Sequence, residues 1–167
     1  MTKLSIAIFL FFSVCSFSQK PQLFDRFEGV KSTINAKIHI VKSESYKAVV
    51  TGDSYLSSTI QLDLEDSTLK LRSASIDRNY EGILVTVYMP TIQVLALVNG
   101  GELTMDEEFS RVPTLVVSAE NKALVNLSNI DFNTLIMSTT KGSQVLYKSV
   151  QTVIKTSNNG AGVRVSN

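Results

Sequence analysis

Residues 89–108 read MPTIQVLALVNGGELTMDEE, residues 109–129 FSRVPTLVVSAENKALVNLSN, residues 130–149 IDFNTLIMSTTKGSQVLYKS and residues 150–167 VQTVIKTSNNGAGVRVSN. Set out in these lines, Leu95, Leu115 and Leu135 fall twenty apart, and Val153 follows after eighteen. Each sits in a short apolar run. A polar or glycine-bearing step follows, then a second alternating run: Leu103 and Met105, Val125 and Leu127, Val145 and Tyr147, Val163 and Val165. Alternation with a period of two is the mark of a half-buried strand. Two short strands and a turn in each line predict an all-β, single-domain β-solenoid with coils of about 20 residues. One such unit cannot bury its own apolar face, so stacking is expected to place Leu95, Leu115, Leu135 and Val153 in one column. Asn99-Gly100-Gly101, Lys141-Gly142 and Asn158-Asn159-Gly160 are the expected corners, where glycine and asparagine tolerate positive φ. The second line has Glu120-Asn121-Lys122 there, which assigns the left-handed position to Asn121.

Upstream, Ile34, Ala36, Ile38 and Ile40 alternate with Asn35, Lys37 and His39, and Tyr46, Ala48 and Val50 resume the pattern after a serine-rich turn. Gly52-Asp53 breaks it. Residues 54–58 have room for one helical turn but no apolar face. Ile60, Leu62 and Leu64 form the next alternating run, Glu65-Asp66-Ser67 turns the chain, and Leu69 and Leu71 continue it. After a polar loop over 73–82, Ile83, Val85, Val87 and Met89 alternate up to Pro90, which has no N–H for a ladder. Residues 19–29, QKPQLFDRFEG, read as a linker whose Phe24 and Phe27 can cover an open end of the core, ahead of a solenoid over 30–167.

The first residues set the expected location. Lys3 precedes the apolar run Leu4–Phe12, and small residues stand at Ser16 and Ser18. This reads as a secretory signal peptide over 1–18, cleaved before Gln19. A permanent anchor is the other reading, but no basic cluster follows the run. Cys15, the only cysteine, lies within this segment, and Val14 fits a lipidation signal poorly. A chain processed after Ser18 has no thiol chemistry and no disulfide.

The 167 residues carry 16 Lys+Arg and 15 Asp+Glu. Such a balance, without a basic stripe, argues against nucleic acid or an anionic membrane as the main partner. No second apolar segment is long enough to span a bilayer.

The segments Phe27-Glu28-Gly29-Val30, Tyr46-Lys47-Ala48-Val49-Val50-Thr51-Gly52-Asp53, Ser67-Thr68-Leu69-Lys70-Leu71, Val85-Thr86-Val87-Tyr88-Met89-Pro90 and Val98-Asn99-Gly100-Gly101 occur in the order and spacing of a known family. From residue 24 to 167 the chain resembles the putative auto-transporter adhesin, head GIN domain family, a domain of unknown function in exported proteins of the Bacteroidetes. The resemblance implies a right-handed parallel β-helix and an adhesin-like role, with no defined site. The chain departs from the family in having Asn-Gly-Gly where Gly-Ala/Ser-Gly is more usual.

Candidate sites are sparse. Asp106, Glu107 and Glu108, with Arg111 nearby, are the densest charge cluster. Paired carboxylates can hold calcium or cleave a glycosidic bond, but three adjacent acids on a tight turn cannot all face one point, so a solvated corner is the expected reading. Asp63, Glu65 and Asp66 form a second acidic group, read as a hairpin corner. His39, the only histidine, cannot build a multi-histidine centre. Among five tyrosines, Tyr55 and Tyr80 lie in polar stretches and are the expected surface contacts for a ligand. No cofactor is expected. The sequence therefore points to an exported, non-enzymatic module that binds a glycan or an envelope protein. A carbohydrate-active enzyme on a β-helix is the alternative, and the last strands offer an edge for self-association.

Overall fold

The computed structural model describes residues 20–75, 78–109, 112–158 and 162–165. The expected signal peptide, Cys15, Arg111 and, of the expected corner Asn158-Asn159-Gly160, the last two residues lie outside them. The strands are β1 (Gln22–Leu23), β2 (Gly29–Ser32), β3 (Lys37–Lys42), β4 (Lys47–Thr51), β5 (Ile60–Glu65), β6 (Thr68–Ser73), β7 (Leu84–Met89), β8 (Val94–Leu97), β9 (Glu102–Met105), β10 (Val112–Ala119), β11 (Leu124–Thr140), β12 (Gln144–Asn158) and β13 (Gly162–Val165). One short helix, α1 (Ser54–Ser58), is capped by the Asp53 carboxylate, which accepts from the Leu56 N–H at 2.9 Å. A 3-10 turn covers Glu107–Phe109.

All strands join one sheet. Eleven follow a hydrogen-bonded path, β1-β4-β7-β3-β9-β11-β10-β8-β2-β6-β5, and β12 and β13 branch from β11. β11 joins the two halves of that path. Its first residues pair with β9 (Val125↔Leu103) and its later ones with β10 (Leu135↔Leu115). The register against β12 shifts between Leu127 and Asp131. There the inward alternation changes phase, with Leu127 and Ile130 buried and Ser128 and Asn129 turned out. A bulge of this kind bends a strand and strengthens its twist, so the sheet curls about this long strand.

The expectation of a right-handed parallel β-helix over 30–167 is corrected by this topology. The sheet is a curled, mixed half-barrel. β4 lies antiparallel between β1 and β7, and β5 is antiparallel to β6. The cause of the second pairing is local. Asp66 and Ser67 both adopt positive φ, 50° and 56°, the two-residue turn whose twist matches a hairpin and folds β5 straight back onto β6. The remaining pairings are parallel, β6 with β2 and β7 with β3 among them, and their register departs from a uniform column. Leu115↔Leu135 and Leu135↔Val153 are true neighbours, but Leu95 pairs with Val117 and Val30. An offset of twenty residues is thus the register of β10 with β11 and of the first residues of β11 with β12 (Val125↔Val145), but not of β8 with β10, so it does not mark a uniform coil. A strand also begins earlier than expected, since β1 follows Pro21 directly.

Inward side chains make one apolar core. Val30, Ile38, Ile40, Leu69, Leu71, Val85, Leu95, Leu103, Leu115, Val125 and Leu135 are all buried in it. Phe27 closes one part, with Tyr46 edge-on at 5.2 Å and Phe24 at 6.2 Å between ring centroids. The expected corners at 99–101, 121–122 and 141–142 do adopt left-handed backbone: Gly100, Gly101, Asn121, Lys122, Lys141 and Gly142 all have positive φ. Gly101 is also the closest packed of these, because a Cβ there would stand 2.7 Å from the Ala36 carbonyl oxygen.

Two variants test this packing by chemical denaturation. Leu115→Ala removes a fully buried side chain and is expected to lower stability by about 2–5 kcal/mol. Thr139 is buried at the end of β11, and its hydroxyl has no partner among the described residues. Thr139→Val removes that orphan group and is expected to raise stability by about 1 kcal/mol.

Candidate functional site

A polar cleft of about 350 Å³ lies where three chain segments meet, and Thr33, Asn35, Ser73, Ser75, Arg78 and Asn99 line it together with Ile34 and Tyr80. Thr33–Asn35 is the exit from β2, Ser73 ends β6 with Ser75, Arg78 and Tyr80 beyond it, and Asn99 is in the turn after β8. Pairing of β2 with both β6 and β8 brings the three together.

Side-chain amides hold the wall. Asn35 Nδ2 donates to Asn79 Oδ1 at 2.8 Å, and Asn35 Oδ1 accepts the Tyr80 N–H at 2.8 Å. Asn99 Nδ2 donates to the Thr33 carbonyl at 3.1 Å. One layer further, Asn121 Nδ2 donates to the Val98 carbonyl at 2.8 Å and reaches Asn99 Oδ1 at 3.2 Å. Positive φ at Asn121 is what aims its amide back at the preceding turn. Each of these bonds fixes a side chain to backbone or to another amide, so the wall is preorganised.

Of the two tyrosines singled out in the sequence, Tyr80 lines the cleft and Tyr55 contacts its Arg78. Tyr80 was expected at the surface but is only 1% exposed. Its hydroxyl bonds to Ser73 Oγ and, at 2.9 Å, to Thr59 Oγ1. A buried phenol needs such partners, and the polar neighbours in the loop supply them. Tyr55 is 60% exposed on α1. The Arg78 guanidinium stands 4.5 Å from its ring centroid, and Arg78 Nη2 donates to its hydroxyl at 2.6 Å. Cation and ring thereby fix one another at the edge of the cleft.

The acidic candidates lie elsewhere. Asp106 precedes the 3-10 turn, and its Oδ1 is 3.5 Å from the Glu108 N–H. Glu107 and Glu108 are exposed. Glu65 is bound by Lys70 and Arg72 across the β5–β6 hairpin. The Lys70 hydrogen bond, with Arg72 assisting, holds its carboxyl below the usual range. His39 pairs its Nδ1 with Thr104 Oγ1 at 2.9 Å across β3 and β9. Among the described residues no three His, Cys, Asp or Glu side chains form a metal-sized group.

A second surface is the outward face of β8, β10, β11 and β12. Parallel register puts Val94, Val116, Ile136 and Ile154 in one row across the four strands. Rows of hydroxyls flank it: Thr114, Thr134 and Thr152 on one side, Ser118, Ser138 and Thr156 on the other. Val94 and Val116 are each 39% exposed and Ile154 54%.

Sequence reasoning did not single out Arg78, Asn35 or Asn99. Arg78 and Asn79 fall in the polar loop over 73–82 and Asn99 in a predicted corner. Only the pairing of β2, β6 and β8 shows that they share a wall. Tyr80→Phe deletes the buried hydroxyl that Ser73 and Thr59 share. It is expected to lower stability by about 1–3 kcal/mol in urea unfolding, with Tyr55→Phe costing under about 1 kcal/mol.

The family described as "Putative auto-transporter adhesin, head GIN domain" matches residues 26–163. No curated protein matches the chain. Among solved structures, a putative lipid binding protein from Parabacteroides distasonis is similar at TM-score 0.61 and 15% identity, covering 83% of this chain and 67% of its own. A putative adhesin from Bacteroides fragilis is similar at TM-score 0.56 and 14% identity, covering 90% of this chain and 96% of its own. At these identities the likeness is one of fold.

Proposed function

This chain belongs to the putative auto-transporter adhesin, head GIN domain family, and from that premise we propose that it is an exported, non-enzymatic binding module of the cell envelope that holds a glycan. The observation that carries this reading is the ordered outward face of β8, β10, β11 and β12. Rows of hydroxyls beside a row of aliphatic side chains suit a sugar polymer, whose rings offer hydroxyl edges and apolar C–H faces. Contacts repeat from strand to strand, so a long ligand gains from many weak ones at once. Family membership supports the adhesin-like role, and the N-terminal segment 1–18 supports export. Among the described residues no helix is long and apolar enough to cross a membrane.

The test is incubation of the purified protein with a broad glycan panel, scoring both retention of protein and shortening of glycan. Retention without shortening is expected. Shortened chains would overturn the non-enzymatic reading, and no retention at all would favour a protein partner. Thr134→Lys and Ile154→Lys, on the outward face, are expected to weaken retention roughly tenfold while changing stability by only about 0.5 kcal/mol.

A second reading, a lipid-binding module, is favoured by one feature. A groove of about 490 Å³ is lined by Ile92, Val94, Pro113 and Val116, with Arg26 among its polar residues. Saturable uptake of a fluorescent fatty acid, lost in Val116→Asp, would support it over the glycan reading.

A further inference from the structure

The groups lining the polar cleft are unequal in what they can offer a ligand. Asn35 Oδ1 accepts the Tyr80 N–H, and Asn99 Oδ1 faces the Asn121 amide. Each of these two amides retains one N–H and one oxygen lone pair for a ligand. Each amide nitrogen carries two hydrogens, and the structure engages Asn35 Nδ2 with Asn79 and Asn99 Nδ2 with Thr33. Arg78 carries five N–H donors, of which one bond goes to the Tyr55 hydroxyl. Among the described residues no carboxylate stands within ion-pair distance of Arg78, in contrast to Arg26 and Arg72, which pair with Glu28 and Glu65. No acidic side chain among the described residues lines the cleft either. Of the described lining residues Arg78 is thus the one charged group, and its remaining N–H groups tip the wall toward donors.

The geometry of Arg78 adds direction. A guanidinium left to solvent loses side-chain entropy when it binds, but here Tyr55 holds it by stacking and by a hydrogen bond. A planar fork fixed in advance suits the planar, two-oxygen edge of a carboxylate. The cleft's volume of about 350 Å³ lies at the small end of ligand sites and is suited to a sugar ring or two. Tyr55 beside it leaves 60% of its surface open, an apolar face against which a ring can rest.

We propose that this cleft binds an acidic saccharide, the carboxylate of a uronate unit being held by Arg78 and the neighbouring amides of Asn35 and Asn99. The proposal rests on the glycan-binding reading and adds a terminus-like or side-branch subsite that reads charge, distinct in its chemistry from the neutral outward rows. Arg78 is the contact residue. Tyr55 is a positioning residue, acting through Arg78.

The test pairs each acidic ligand with its own neutral form. Oligosaccharides of galacturonate, glucuronate and mannuronate, and their carboxyl-reduced counterparts, are titrated calorimetrically into the full protein. At least one acidic oligosaccharide is expected to bind roughly tenfold or more tightly than its reduced form. Arg78→Gln is expected to erase that difference. Arg78→Lys keeps the charge but not the fork, and is expected to restore only part of it. Tyr55→Phe is expected to weaken acidic binding less than Arg78→Gln and to raise its dependence on salt. Equal binding of acidic and reduced forms in all three pairs overturns the proposal but leaves the glycan-binding reading intact. An acid preference that survives Arg78→Gln also overturns it. Absence of binding by any sugar, acidic or neutral, overturns both.

Discussion

The structure depends on one strand making two sets of ladder hydrogen bonds. β11 pairs with β9 through its first residues and with β10 through its later ones. Backbone N–H and C=O groups buried in a sheet must find partners, and a strand that changes neighbours partway along must bend to do so. The irregularity between Leu127 and Asp131 is where that happens. Asn126 Oδ1 steadies the bend by accepting from the Ser128 N–H at 3.1 Å and from its hydroxyl at 2.7 Å. Once β11 bends, the strands on either side face one another across the core, and the buried aliphatic side chains of both halves share one interior.

The polar cleft is a consequence of the same curl. Turns linking inward-facing strands must leave the core, and their amides must be satisfied where the sheet ends. Asparagine does this twice at these corners, once by tolerating positive φ and once by returning its amide to the adjacent turn. Asn121 shows both properties. The corners thus present a rigid, amide-lined wall, and Arg78 with Tyr55 stands at its edge. Rigid walls suit recognition because little ordering is left to be done when a ligand arrives. The outward rows of β8, β10, β11 and β12 are rigid for a related reason, since parallel register keeps like side chains in line.

Charge is used sparingly. Glu65 pairs with both Lys70 and Arg72 across the β5–β6 hairpin, and Lys47 lies over the Tyr88 ring at 4.4 Å. The exposed pairs contribute little to stability. Arg78 differs from Lys47 in that its ring partner, Tyr55, also accepts a hydrogen bond from it.

The sequence by itself determined the strand content, most of the inward residues and the corners. Alternation in Val125 to Leu127, in Val85 to Met89 and in Leu69 to Leu71 is a local property, set by the two-residue period of the pleat, and a positive φ at Asn121 follows from its side chain and its neighbours. The tertiary structure decided how the strands pair. Period two says which side of a strand is buried but is equally satisfied by parallel and antiparallel neighbours, so the spacing from Leu95 to Leu135 could not distinguish a coil from a mixed half-barrel. Nor could it place Leu95 against Val117 instead of Leu115. The same limit governs the site. Tyr80 in a polar loop looks exposed until Ser73 and Thr59 are found at its hydroxyl, and Thr33, Asn35, Ser73, Arg78 and Asn99 have no common signature along the chain. They meet because β2 pairs with both β6 and β8, a contact between residues tens of positions apart whose free energy belongs to the assembled sheet and not to any one segment.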